Sequence, residues 1–102
     1  MKKIINGKKY NTETAKKMGC WSNDYSHRSF NFCEESLYRK KTGEYFLYGI
    51  GGPMSRYSQP CGQNTWSGGS KIIPMTAAEA MEWVEEHLTA DEYEEIFGEV
   101  EE

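Results

Sequence analysis

Cys20, His27, Cys33 and Cys61 are the residues of this chain with side chains of the kinds that bind zinc or carry a nucleophilic thiol. A strong zinc signal needs close pairs at C-x-x-C spacing, and none of these residues forms one. A Cys–His pair drawn from this set, with His27 or His87 as base, has no local signature that would position and activate the thiol. The stretch "GIGGP", residues 49–53, lacks the Gly-Lys-Ser/Thr ending of a phosphate loop and runs into a proline rather than a helix. Paired acids abound near the C-terminus, but exposed helical carboxylates lack the burial that tunes a catalytic pKa. The expectation is a protein that is not an enzyme and has neither cofactor nor metal. Three cysteines at irregular spacing read as reduced thiols rather than a disulfide framework.

What the chain does concentrate is charge. "EEHLTADEYEEIFGEVEE", residues 85–102, holds nine carboxylates, one histidine and no lysine or arginine. Residues 1–71 carry all 12 Lys and Arg against five acids, or +7; residues 72–102 carry the other 11 acids, or −11, and the two sum to the net −4. With 102 residues, 37% hydrophobic and 14% aromatic, the chain has the length and apolar content of one small folded domain. That domain divides by charge into a basic, sheet-rich part (1–71) and an acidic, helical part (72–102). No apolar run approaches the roughly 18 residues of a membrane span, so no membrane partner is expected. "MKKIINGKKY" has no apolar stretch for a signal peptide, which makes the expected location cytoplasmic.

The elements that must carry these groups are legible in outline. "KKIINGKKY" reads as a hairpin turning at Asn6-Gly7. "NTETAKKMG" reads as a short helix capped by Asn11 or Thr12 and stopped by Gly19. Residues 20–31 lack any period and read as a loop. Strands are expected over about Phe32–Lys40 and Glu44–Ile50, the second with apolar residues on both faces, so that it is either central or covered on its second face by something else. Residues 51–70, with five glycines and two prolines, read as an irregular loop of functional length, followed by a short strand at "KIIPM". Two capping boxes, Thr76-Ala-Ala-Glu79 and Thr89-Ala-Asp-Glu92, start two helices. The inward stripes are Ala77, Ala80, Met81, Val84 and Leu88, then Tyr93, Ile96, Phe97 and Val100. The fold class is α+β: a small antiparallel sheet of about four or five strands with one short N-terminal helix and two C-terminal acidic amphipathic helices.

On those two helices the acids fall opposite the apolar stripe: Glu79, Glu82, Glu85 and Glu86 on the first, Asp91, Glu92, Glu94, Glu95 and Glu99 on the second. Such a face solubilises. It also repels itself without lysines at i+4 and puts acids at a helix C-terminus, where the macrodipole opposes them. A basic partner resolves both conflicts, and nucleic-acid-handling clefts are strongly basic. Glu82, Glu85, Glu86, Asp91, Glu92, Glu94 and Glu95 are the expected partner-binding carboxylates, with Arg56, Tyr57 and Trp66 as contacts from the glycine-rich segment. The rival reading uses the other pole: Lys8, Lys9, Lys16, Lys17 and their neighbours, interleaved with tyrosines, would bind nucleic acid directly. Opposite poles also permit head-to-tail homo-oligomers.

"KKYNTETAKKMG", "LYRKKTGEYFLYGIGGPMSRY" and "SGGSKIIPMTAAEAMEWVEEHL" together resemble a family of short proteins on mobile elements of Gram-positive bacteria, among which small anti-CRISPR proteins occur. The resemblance rests on overall pattern from about Lys8 to Phe97 and transfers no functional position. It implies an inhibitor of a type II CRISPR effector nuclease, acting on a nucleic-acid surface or the guide RNA inside the bacterial host cell. RNA-guided nucleases hold their strands in strongly positive channels, which fits the charge argument.

Overall fold

In the computed structural model, which describes residues 1–101, the hairpin at the N-terminus forms as its turn residues require. β1 (Lys2–Ile5) and β2 (Lys8–Asn11) pair antiparallel, with Asn6 at φ 51° and Gly7 at φ 78° supplying the left-handed turn. They form a sheet of their own, separate from the main one.

The short helix expected at residues 11–19 is not there. Its cap chemistry is: Asn11 Oδ1 accepts from the Glu13 amide at 3.0 Å, and the Asn11 carbonyl accepts from the Ala15 amide at 3.1 Å. That chemistry closes a single turn, after which β3 (Lys16–Ser22) pairs with β4 (Cys33–Arg39) from Lys16↔Arg39 to Ser22↔Glu34. Tertiary pairing outweighs a local helix signal that amounts to one capped turn. The expected loop at 20–31 accordingly starts later, after Ser22.

β4, β5 (Tyr45–Gly51) and β8 (Gly69–Met75) complete a four-stranded antiparallel sheet in the order β3-β4-β5-β8. The segment read as an irregular loop contains a second hairpin, β6 (Gln59–Gly62) and β7 (Thr65–Ser67), turning at Asn64 with φ 59°. Pro74 lies inside β8, which is an edge strand, where a missing backbone donor is tolerated. The charge boundary at residue 71 falls inside that strand, so it divides charge and not architecture.

Both expectations for the Glu44–Ile50 strand hold: it is central, and both of its faces are covered. Tyr45 and Leu47 pack with Leu37, Ala80, Trp83 and Val84 under α1 (Ala77–His87) and α2 (Ala90–Phe97). Phe46 faces the other way, with Ile72 and the Tyr10 ring brought by the N-terminal hairpin. The layers run hairpin, sheet, helices, which sets the basic β1–β2 lysines and the acidic helices on opposite sides of the sheet. Both helices start at the anticipated capping boxes. Their inward stripes differ in detail: Trp83 is buried where Met81 is exposed, and Gly98 ends α2 before Val100, which is 60% exposed. Among the described residues, no helix is long and apolar enough to cross a membrane.

Candidate functional site

Strand alternation places Cys33, Glu35 and Leu37 on the helix-facing side of β4, so a carboxylate occupies a position that pattern reserves for an apolar side chain. Glu35 is 1% exposed. A buried charge persists only if its oxygens are occupied, and here both are. Oε1 accepts from Trp83 Nε1 of α1 at 3.0 Å. Oε2 accepts from Arg56 Nη1 at 3.1 Å and from the Tyr57 hydroxyl in a short hydrogen bond. His87 brings Nε2 to 3.9 Å from Oε1, with its ring 4.4 Å from Trp21 and 5.2 Å from Trp83. One side chain thereby ties β4, the segment after β5 and the first helix together.

Gly49 makes this arrangement sterically possible. It pairs with Glu35 across β4 and β5, and the Tyr57 ring occupies the space where its side chain would stand. Burial first, and then the bond to Glu35, push the Tyr57 phenol well above its ordinary value. Cys33, next along the same face, has its thiol pushed up by burial and then by Glu35. Neither group is poised to act as a nucleophile or base near neutral pH.

Outside this node, α1 and β8 frame a shallow cleft of about 330 Å³. Leu47, Ile73, Met75 and Trp83 give it an apolar floor, Glu79, Glu82 and Glu86 an acidic rim, and Arg56 and His87 one polar wall. The charge of Arg56 is spent on Glu35, so the rim stands unneutralised. The structure therefore brings Arg56, Glu82 and Glu86 of the expected contacts to this cleft, whereas Tyr57, expected as an outward contact, is buried against Glu35. It does not bring the others there. Glu85 and Glu94 border a separate groove between the helices with Leu88, Tyr93 and Val100. Glu92 is occupied as the α2 cap, accepting from the Thr89 amide at 3.2 Å. Asp91 and Glu95 are simply exposed, and Trp66, 57% exposed, lines none of the cleft from its place on β7.

Glu35, Trp83 and His87 were not anticipated as parts of a site. The available signal was the acid at a core-phase position of an otherwise apolar strand face. Cys20 and His27 both reach Glu34, at 3.7 and 3.6 Å, but no group of three or more His, Cys, Asp or Glu side chains able to hold a metal ion occurs among the described residues. Compared with known proteins, the chain matches no family model, no curated protein and no solved structure.

Proposed function

We propose that this chain is a non-enzymatic inhibitor that docks its acidic helical face on a basic, nucleic-acid-handling protein in the bacterial cytoplasm. One observation carries the reading. Every acid from Glu79 to Glu101 is exposed, and none of them pairs with a lysine or arginine among the described residues. The chain has lysines to spare, but the fold sends the Lys2, Lys3, Lys8 and Lys9 hairpin to the opposite side of the sheet. An acidic array left without internal counter-charge retains its full field for a partner, steering association and fixing orientation. Sequence resemblance narrows that partner to a type II RNA-guided nuclease, whose positive channel is the surface to be occupied.

Pull-down of the nuclease, with and without guide RNA, together with a cleavage assay tests this reading. Binding and inhibition should fall when Glu82, Glu85, Glu86, Asp91, Glu94 and Glu95 are replaced by their amides. Unchanged cleavage and no capture in either form sink it.

A second reading has its own observation: Lys2, Lys3, Lys9, Lys16 and Lys17 are exposed and carry no ion pair among the described residues. If this side binds RNA or DNA directly, mobility shifts weaken with salt and with neutralisation of these lysines, and the tail amides change nothing.

A further inference from the structure

β8 is an edge strand with β5 as its one neighbour, and its outer backbone groups make no backbone hydrogen bond among the described residues. An open edge is a template for another extended chain. This edge runs beside the cleft whose floor is Ile73, Met75 and Trp83 and whose rim is Glu79, Glu82 and Glu86. We propose that the β8 edge and this cleft together take an extended, arginine-bearing segment of a protein partner as a fifth strand of the sheet.

The proposal rests on the reading above, that the acidic face meets a basic protein, and names how it is met. Main-chain pairing supplies affinity in such additions, and alternate side chains supply specificity. Same-side residues of an added strand lie about 6.8 Å apart. Glu82 and Glu86 are separated by one helical step of four residues, about 6 Å along α1. Two arginines at i and i+2 thus meet two carboxylates, laying their stems over the apolar floor and offering their forks to the rim. Pairing with a second copy through the same edge is disfavoured, because it would bring two unneutralised rims together.

The test is an NMR titration of the labelled full chain with the capped peptide Thr-Arg-Val-Arg-Val-Arg-Thr. Three comparisons run beside it: a citrulline-for-arginine peptide, a peptide N-methylated at alternate backbone amides, and the E82Q/E86Q chain. The expected result is saturable shifts of the β8 amides and of the Trp83 indole N–H. Binding should weaken about tenfold or more with citrulline, with N-methylation and in E82Q/E86Q, whose preserved fold is read from the same spectra. The proposal is overturned if the N-methylated peptide binds as well as the parent. It is equally overturned if E94Q/E95Q, on the other helix, costs as much as E82Q/E86Q, since the acids would then act as a diffuse field. The two readings fail separately. A peptide that seats on β8 while the tail amides leave nuclease binding unchanged removes the proposed function and keeps the groove. Lost nuclease binding without any peptide seating does the reverse.

Discussion

Replacing Glu35 by alanine should be among the most destabilising single changes in this chain, and the structure says by how much. The substitution leaves two buried donors without an acceptor: the Trp83 indole N–H, in a residue 5% exposed, and the Tyr57 hydroxyl, in a residue 4% exposed. Each orphaned buried donor costs about 1–3 kcal/mol. The Arg56 side chain is 63% exposed and stays hydrated at the surface once released, so its lost ion pair adds little. The total is about 2–6 kcal/mol, a range that brackets the about 3–5 kcal/mol of breaking other buried pairs from one side. Small domains hold only about 5–15 kcal/mol in all.

Urea unfolding followed by tryptophan fluorescence reads this directly. With a slope of about 1–3 kcal/mol/M, the midpoint should fall by about 2 M at unchanged slope. Tyr57→Phe is the internal control, since it removes one donor and leaves Glu35 bonded to Trp83 and Arg56. Its cost should be about 1–1.5 kcal/mol. An E35A loss under about 1 kcal/mol, or one no larger than that of Y57F, would mean that water replaces the missing carboxylate and that the node does not hold the layers together.

Three further outcomes follow from the same region. Gly49→Ala places a methyl group inside the Tyr57 ring, so it should lower the urea midpoint at least as far as Y57F and expose the Tyr57 ring to solvent, seen as a change in near-ultraviolet circular dichroism. The phenol of Tyr57 is raised above its ordinary 10.0 in the folded chain, so the unfolded chain ionises first. Its contribution is whole below pH 10.0 and declines as pH climbs beyond it, and Y57F should flatten that alkaline limb of the midpoint-against-pH curve. Cys20 and Cys61 are exposed whereas Cys33 is buried with its thiol pushed up, so a thiol reagent at neutral pH should label two sites quickly and the third only on unfolding.

The parts of this fold that were legible in sequence are those dictated by local chemistry. Asn6-Gly7 forces a hairpin because two consecutive residues must take positive φ, and the Thr-x-x-Glu boxes start helices because they satisfy free amides within four residues. Apolar residues on both sides of "YFLYGI" place β5 in the middle for the same kind of reason. The N-terminal helix was misread because Asn11 does cap a turn, and the residues that then divert Lys16–Ser22 into a strand lie some 20 positions away in β4. The β6–β7 hairpin was hidden by glycines and prolines that score as loop even when two short runs of backbone pair.

The site was half legible, and the missing half explains the visible one. Arg56 and Tyr57 stood out as a cationic and aromatic pair on a glycine-rich segment, and by composition alone they read as outward contacts. Their actual direction is set by Glu35, whose identity as a core-face residue depends on the phase of β4, and by Gly49, which leaves room for the ring. Once Glu35 captures Arg56, the one arginine or lysine lining the cleft beside the α1 carboxylates is spent. The same bond that anchors the segment after β5 therefore leaves Glu82 and Glu86 charged and open, beside Glu79, which accepts from the Thr76 amide as the α1 cap. The acidic rim is in this sense a product of the buried node. Freeing Arg56, as Glu35→Ala does, should let it fold back on the rim and weaken recognition of a basic partner even where the chain remains folded.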